Sequence, residues 1–365
     1  MNITASAPGK LVLLGEYAVL EGAPAISMAV NRRAIAHLRP RLGTRCEAAA
    51  PDILAARVPF VIGADGLPDW SEAGDHAGSL GLVDQVLRGL ADEQLSPPSG
   101  RGFSLELDTG EFFDRVGNER LKLGLGSSAA LTVALATALV AHAGRGAAAA
   151  NRRVWLQRLL ALHRKFQGGH GSGVDVATSL IGGVISYQLT PDPNGGGMNP
   201  IARDIVWPES IQRLYVWSGR SASTPKLLAT LEAWRAMHAA EYNALMGHLT
   251  AIAEAAVANL AANDGAALIA AAGAYAEGLH ALGSASGVRI FSDEHLAIGA
   301  LAREAGLVYK PCGAGGGDVG VVFALNDPER LAALGARLAA AGFACVPLAV
   351  DETGLKLEFT EIDEA

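Results

Sequence analysis

Segments in which apolar residues run on or alternate with polar ones dominate the chain up to about residue 115. Both patterns are typical of strands, because successive side chains of a strand point to opposite faces of the sheet. The clearest predicted strands are 10–20, 25–30, 33–40 and 101–108. Residues 1–20 as a whole read as a strand, a turn and a second strand.

Helical patterns take over after residue 127. Ala- and Leu-rich segments predict helices over 127–143 and 151–165, and 182–190 reads as a strand. The Pro- and Gly-rich stretch 191–200 predicts a boundary between one domain at 1–190 and another at 200–365. The remaining predicted elements are strands at 213–219, 319–325 and 355–361, and helices within 224–264, 293–306 and 328–341. Strands and helices mix without strict alternation, which predicts an α+β fold.

Composition and charge favour a protein that handles small molecules. The chain has 365 residues, about 50% of them hydrophobic, which is ample for two globular domains. A net charge of −8 offers no basic surface for nucleic acid, so no nucleic-acid partner is predicted. The three cysteines have neither a disulfide-framework spacing nor a zinc-site spacing.

The N-terminal residues lack the basic and apolar regions of a signal peptide, which predicts a cytoplasmic protein. The longest apolar helices that this pattern predicts, such as 129–143, are too short to cross a bilayer, so no membrane association is predicted. Only six lysines occur beside 23 arginines, and five of them lie in Gly- or Ser-rich stretches. Those five are Lys10, Lys122, Lys165, Lys226 and Lys310.

The sequence LKLGLGSSAAL at 121–131 puts two glycines and two serines in front of an apolar helix. A helix that starts after glycines presents free N–H groups and the positive end of its dipole, which suits a phosphate. The alternative is that Ser127 or Ser128 simply caps the helix. The residues by themselves leave these two interpretations about equally favoured.

Other Gly-rich motifs fit this segment less well. It lacks the Walker A pattern and the G-x-S-x-G nucleophile elbow. GLGSSA does match a dinucleotide-binding fingerprint, but a charged segment precedes it, and no Asp or Glu lies between Glu119 and Asp175. A dinucleotide site needs an acidic residue about twenty positions on, so NAD binding is excluded.

A third Gly-rich segment, KPCGAGGGD at 310–318, leads into a strand. Together with PGKLVLLGEYAVLEG at 8–22 and GLGSSAA at 124–130, it resembles the three motifs of the GHMP kinases, named for galactokinase, homoserine kinase, mevalonate kinase and phosphomevalonate kinase. The resemblance covers nearly the whole chain. It implies two α+β domains, the first with a left-handed βαβ unit and the second ferredoxin-like, with ATP and the acceptor in the cleft between them.

The resemblance also implies roles for individual residues. The catalytic lysine and aspartate fall on Lys10 and Asp175, and Ser128 is the implied ligand of Mg²⁺. The ATP phosphates are expected to lie against the segment that contains Lys122, Gly124, Leu125, Gly126, Ser127 and Ser128. ATP and Mg²⁺ are therefore the expected cofactors.

Four details resemble the phosphomevalonate kinase branch of that family: Tyr17, Lys122, the K-x-Q-G approach to Asp175, and the WSGRSAST segment at 217–224. They imply phosphomevalonate as the acceptor, with mevalonate or another small alcohol as the alternative. A catalytically silent ATP-binding regulator is the alternative from a different class. The expected acceptor-binding residues are Tyr17, Gly173, Arg220, Ser221, Ser223, Thr224, Gly315, Gly316 and Asp318.

The chain also departs from the family pattern. Arg164 stands near the position where mevalonate kinases have a glutamate, so a second protein ligand for Mg²⁺ is not assigned. Cys312 stands where the family usually has serine. His163 and His170 flank the approach to Asp175 and are expected to be structural. A monomer or a homodimer is expected.

Overall fold

The computed structural model describes residues 1–116, 119–169, 171–191 and 198–361. It has the mixed α+β architecture that the sequence predicts, and this is built on two main sheets and a short β-ribbon. The strands of the first sheet and the ribbon are β1 (Asn2–Leu14), β2 (Ala25–Pro40), β3 (Arg45–Ala50), β4 (Leu54–Ile62), β5 (Pro68–Asp69), β6 (Phe103–Asp108), β7 (Phe113–Val116), β8 (Glu119–Lys122), β9 (Val184–Pro191), β10 (Met198–Ile205) and β15 (Lys356–Thr360). The helices packed in this half are α1 (Gly81–Asp92), α2 (Ser127–His142), α3 (Arg152–Phe166) and α4 (Val174–Ile181).

The first sheet runs in the order β10-β9-β2-β6-β3-β4-β5, and β1 pairs with both β2 and β15. Only the β3–β6 pair is parallel among these described strands. Helix α2 packs against β1 and β2 and against α1, α3 and α4. Its Ala, Leu and Val residues face every direction, which suits a helix surrounded by protein on all sides.

The second sheet runs in the order β12-β13-β11-β14, with all neighbouring strands antiparallel. Its strands are β11 (Ile211–Trp217), β12 (Val308–Pro311), β13 (Val319–Leu325) and β14 (Ala344–Cys345). The helices of this half are α5 (Thr224–Met237), α6 (Ala239–Ala261), α7 (Gly265–Ser286), α8 (Asp293–Glu304) and α9 (Pro328–Ala340). The chain order strand, helices, strand, strand, helix, strand gives the ferredoxin-like topology that the resemblance implies.

The division between the sheets differs from the predicted boundary at 191–200. Strands β9 and β10 form an antiparallel pair with Pro191 opposite Met198, so this stretch connects two strands of the first sheet. The chain passes to the second sheet between residues 205 and 211, and β15 returns to pair with β1. The Pro- and Gly-rich stretch 191–200 was taken for a linker between domains, but it joins two paired strands. Turns inside a sheet and linkers between domains use the same residue types, so composition alone does not distinguish them.

Two further predictions are corrected by the structure, and two helices were not predicted. Residues 2–14 form one strand with register shifts between Pro8 and Gly9 and between Val12 and Leu14. The predicted strand 10–20 therefore ends at Leu14, and Ala18–Glu21 form a short 3-10 helix instead of a second strand. The segments 25–30 and 33–40 also belong to one strand. Helices α1 and α7 were missed, since α1 lies in a region of mostly strand-like patterns and α7 continues the Ala-rich composition of α6.

Helix α6 is 23 residues long with a mean hydropathy of 1.3, so it meets the length and composition criterion for a membrane span that the sequence analysis found unmet. This is weak evidence, because packed helices of globular proteins pass the same test. One face of α6 packs on α7 and contains Tyr242, Met246 and Leu249. The opposite face exposes polar side chains such as Glu241 and Glu254.

Candidate active site

A cavity of about 900 Å³ lies between the two halves of the molecule. Strand β1, the glycine loop before α2 and the start of α4 form one wall. The start of α5 and the loop between β12 and β13 form the other. A volume in this range is typical of sites for cofactors and small substrates.

The glycine loop ends at Gly126, which is the residue before the first turn of α2 and has φ of 76°. No side chain caps this helix, and Ser127 and Ser128 are its first two residues. The capping interpretation of these serines therefore does not hold. The N–H groups of the first turn keep their capacity to bind an anion.

Lys10 reaches the cavity from within β1. Its backbone N–H donates to the Leu125 carbonyl at 2.8 Å, which fixes the strand against the glycine loop. Its side chain crosses directly over Gly126, since a Cβ built there would lie 3.0 Å from Lys10 Cε. Lys122, the other lysine on the cavity wall, lies just before the loop. The structure thus brings two predicted cations to the predicted phosphate loop.

Asp175 lies in the first turn of α4 and faces the same cavity. Its Oδ1 accepts a hydrogen bond from the Val176 N–H at 2.9 Å, which leaves Oδ2 available. The His163 ring lies next to this carboxylate, with Nδ1 at 4.0 Å from Oδ2. The other ring nitrogen, Nε2, is 3.3 Å from Ser128 Oγ.

Residues of the first motif, 8–22, make contacts that join the two halves of the molecule. Tyr17 has φ of 62° and donates its hydroxyl to the Ala314 carbonyl at 2.5 Å. The neighbouring Glu16 pairs with the fully buried Lys310 at 2.5 Å. Burial raises the pKa of the Glu16 carboxyl, and the Lys310 ammonium opposes that shift. A buried pair of this kind favours one relative placement of the two halves, because separating the charges leaves each without a partner.

Asp318 connects the third motif to the glycine loop and to the WSGRSAST segment. It has φ of 59°, and its Oδ1 accepts from the Ala222 N–H at 3.2 Å. It also packs so closely on Gly124 that a Cβ there would lie 2.1 Å from Asp318 Cγ. Burial raises the pKa of the Asp318 carboxyl to about 6, although nearby lysines oppose the shift.

The raised pKa predicts a pH-dependent stability that Asp318→Asn removes. The carboxyl titrates near 3.8 when unfolded and near 6 when folded, so the folded state binds more protons between these values. Stability therefore falls as pH rises from about 4 to 6, by up to about 3 kcal/mol, and the loss persists above pH 6. Thermal unfolding from pH 4 to 8 should show a smaller fall for Asp318→Asn. Exposed Asp92→Asn is the control, and an unchanged profile for Asp318→Asn contradicts the prediction.

The structure brings most, but not all, of the predicted residues to the cavity. Those on its wall are Lys10, Tyr17, Lys122, Gly124, Gly126, Ser127, Ser128, Asp175, Ser221, Ser223, Thr224 and Asp318. Leu125 is buried behind the loop and contributes its carbonyl to Lys10.

Four predicted acceptor-binding residues do not lie on the wall. Gly173 precedes α4 and packs on Leu160, and Gly315 packs on the backbone of Ile290. Gly316 donates its N–H to the Ile290 carbonyl. The fourth, Arg220, is exposed and pairs with Glu294 of α8 at 2.9 Å.

The two departures from the family pattern also have structural outcomes. Cys312 is buried, and burial raises the pKa of its thiol to about 12, so the thiol stays protonated. Arg164 contacts the Gly169 carbonyl and is not on the cavity wall. His170 lies outside the described residues.

Sequence reasoning missed several residues of the wall. Glu16 is one of two acidic residues in the first motif, and its Oε2 is buried with no partner among the described residues. Gln167 and Ser172 flank the approach to Asp175. Leu228 and Glu232 come from α5, one turn apart on the same face, a spacing that the sequence contained but did not connect with the site.

Comparisons with known proteins agree with the cavity and its motifs. The model of the GHMP kinases N terminal domain matches residues 87–183. A phosphomevalonate kinase from Streptomyces sp. (strain CL190) is 31% identical over 360 residues, covering 90% of this chain and 91% of that protein. The chain belongs to the GHMP kinase family. Like other members, it is an ATP-dependent phosphotransferase.

Solved structures agree over almost the whole chain. The Lin0012 protein from Listeria innocua has a TM-score of 0.83 at 24% identity, covering 98% of this chain and 99% of that one. Streptococcus pneumoniae phosphomevalonate kinase, solved with phosphomevalonate and AMPPNP, has a TM-score of 0.74 at 18% identity, covering 95% and 99%. At these identities the likeness shows the fold, which is the two-domain GHMP kinase fold.

Proposed function

We propose that this chain is a phosphomevalonate kinase, which transfers the γ-phosphoryl group of ATP to 5-phosphomevalonate and gives 5-diphosphomevalonate for isoprenoid biosynthesis. The similarity to the Streptomyces phosphomevalonate kinase extends over both halves of the chain. The observation that carries the proposal is the placement of the WSGRSAST segment, which links the end of β11 to the start of α5 at the cavity.

This segment suits an acceptor that already has a phosphate. Ser221, Ser223 and Thr224 line the cavity opposite the glycine loop, and Ser221 Oγ donates to the Lys122 carbonyl at 3.1 Å. Ser223 precedes α5 but makes no side-chain cap, so its hydroxyl is not used by the helix. Hydroxyl groups beside a helix N-terminus bind phosphate oxygens well.

The opposite wall suits ATP. We assign its phosphates to the glycine loop, Gly124–Ser128, with Lys10 and Lys122 supplying positive charge. Mg²⁺ normally keeps several waters and takes only one or two protein ligands beside the phosphates. The described residues contain no cluster of three or more His, Cys, Asp or Glu that could hold a metal. The Ser128 hydroxyl and the Asp175 carboxylate, both on the cavity wall, fit this limited requirement.

Phosphoryl transfer needs positioning and neutralisation of charge more than covalent help from the protein. Mg²⁺ held by these residues would supply charge neutralisation at the phosphates. Lys10, over the glycine loop, stabilises the charge on the transferred group. A phosphate acceptor is mostly dianionic at neutral pH because its second pKa is about 6. Asp175 therefore orients the acceptor and Lys10, whereas with an alcohol acceptor it would serve as a general base.

The acceptor is tested by measuring ADP release with phosphomevalonate, mevalonate, homoserine and galactose. We expect phosphomevalonate to give the highest kcat/KM. A wild-type enzyme that phosphorylates mevalonate and ignores phosphomevalonate contradicts the proposal and identifies an alcohol kinase. No transfer to any acceptor, with intact ATP binding, favours the silent regulator.

The acceptor segment is tested by Arg220→Ala, Ser221→Ala and Lys226→Ala side by side. At least one should raise KM for phosphomevalonate ten-fold or more, since losing one charge-assisted partner of a buried phosphate costs about 2–5 kcal/mol. KM for ATP should stay within about two-fold, because a different loop binds ATP. Normal acceptor KM for all three variants contradicts the assignment.

The Arg220–Glu294 pair provides a matched control for this series. Arg220 must leave Glu294 to reach an acceptor in the cavity. Glu294→Gln weakens that competing pair, so it should leave the acceptor KM unchanged or lower it if Arg220 binds the phosphate. An equal rise in KM for Arg220→Ala and Glu294→Gln would instead show that the pair only stabilises the segment.

A further inference from the structure

His163 lies between two groups of the candidate site. It is on the last turn of α3, and only 1% of it is exposed. Its Nε2 is 3.3 Å from Ser128 Oγ, and its Nδ1 is 4.0 Å from Asp175 Oδ2. Nδ1 is buried and has no hydrogen-bond partner among the described residues. A buried polar nitrogen without a partner is unusual, and this one is aimed at the Asp175 carboxylate.

One neutral form of the ring matches both neighbours. A neutral imidazole donates from one nitrogen and accepts at the other. Asp175 Oδ2 can only accept when it is ionised, so the proton belongs on Nδ1. Nε2 then accepts a hydrogen bond from the Ser128 hydroxyl, which leaves the oxygen lone pairs of Ser128 for a cation. The 4.0 Å separation is too long for a hydrogen bond, so the proposed contact requires the Asp175 carboxylate to approach the ring.

We propose that His163 is a positioning residue, which rests on the proposed kinase function: its Nε2 orients the Ser128 hydroxyl toward the metal, and its Nδ1–H holds the Asp175 carboxylate. The ring touches neither substrate. It acts through the two side chains that do. Partners of metal ligands commonly change metal affinity or activity 10–100-fold when they are removed.

Core packing is the competing role, and it makes different predictions. His163 contacts Phe166 with ring centroids 6.4 Å apart, so the ring fills space as well as presenting nitrogens. A packing role requires a ring of similar size at this position. The proposed role requires an acceptor near Ser128 and a donor near Asp175. Substitutions that keep the size or keep one nitrogen separate the two roles.

Three variants divide the functions of the ring. His163→Phe keeps the size and removes both nitrogens. His163→Gln can place an amide oxygen near Ser128, whereas His163→Asn can place an amide N–H near Asp175. The control is His142→Phe, because His142 also has a buried nitrogen without a partner among the described residues but packs on Phe103, away from the cavity.

Binding of AMPPNP is measured by calorimetry with Mg²⁺ and with EDTA, so one readout does not depend on activity. We expect His163→Phe to reduce the Mg²⁺-dependent gain in AMPPNP affinity about ten-fold and to leave the affinity in EDTA unchanged. Its kcat should fall about 10–100-fold. His163→Gln should keep most of the Mg²⁺-dependent gain in AMPPNP affinity. His163→Asn should keep a larger share of the wild-type kcat than His163→Phe does.

The proposal is overturned if His163→Phe keeps both the Mg²⁺ gain and kcat, or if His142→Phe loses as much. It is also overturned if the AMPPNP affinity of His163→Phe in EDTA falls together with the melting temperature of that variant. If His163→Phe does not fold, the Gln and Asn variants decide, and equal losses in both readouts reject the proposal. The nucleotide experiment contains no acceptor, so its result stands even if phosphomevalonate is not the substrate.

Discussion

Lys10→Ala is expected to lower kcat at least about 100-fold, which corresponds to a loss of about 3 kcal/mol of transition-state stabilisation. The Lys10 side chain lies across Gly126, and a Cβ built on Gly313 would lie 4.0 Å from its ammonium nitrogen. The charge is therefore held between the glycine loop and the third motif, where the transferred group is proposed to pass. Steady-state kinetics with saturating ATP and acceptor measure the effect.

Lys10→Met separates the charge from the packing of the side chain, because methionine keeps most of the stem over Gly126. It should lose nearly as much activity as Lys10→Ala. Lys356→Ala is the matched control, since Lys356 is exposed on β15, the strand that pairs with β1. A near-normal kcat for Lys10→Met would remove the ammonium of Lys10 from the mechanism.

Gly126→Val is expected to weaken ATP binding by at least about 100-fold. A Cβ at this position would lie 3.0 Å from Lys10 Cε, so the larger side chain displaces Lys10 and occupies the start of the phosphate loop. The residue also has φ of 76°, which a branched side chain adopts only with strain of about 1–3 kcal/mol. Calorimetric titration with ATP and Mg²⁺ measures the loss.

The strain must be separated from the loss of the phosphate site. Gly144 follows the other end of α2, has φ of 71°, and has nothing within 4 Å of a Cβ placed on it. Gly144→Val therefore imposes a similar backbone cost with no effect on the cavity. Both variants should lower the melting temperature, but only Gly126→Val should lose ATP. Equal ATP affinity in the two variants would reject the assignment of the glycine loop.

Local sequence predicted the elements whose pattern is strong and self-contained. Helices at 127–143 and 151–165 were confirmed within a residue or two, because continuous Ala and Leu runs at helical spacing have few alternatives. The strand predicted at 319–325 was confirmed with the same bounds. The chain changes sheet between residues 205 and 211 and not at the predicted boundary of 191–200. Gly and Pro indicate that the chain reverses, but they do not show which sheet the next strand joins.

The same limit applies to the candidate site, because the sequence placed some residues correctly on the cavity wall and others not. Motif residues that contribute backbone and charge, such as Lys10, Gly126 and Asp175, lie on the cavity wall. Arg220 does not, because its direction depends on Glu294, a residue of α8 that is distant in sequence. Sequence reasoning also did not predict that the His163 ring lies beside Ser128 and Asp175. Its neighbours Ser128 and Asp175 come from two other helices, and no local pattern records that meeting.

The sequence by itself determined the family, the α+β class and the three Gly-rich segments, because glycine spacing, apolar periodicity and scarce lysines are properties of consecutive residues. Only the tertiary structure decided what these segments contact. It placed Lys310 in a buried pair with Glu16, turned Arg220 away from the cavity and returned β15 to the first sheet. Burial and long-range pairing set these outcomes. They depend on residues that are distant in the sequence and come together only when the chain has folded.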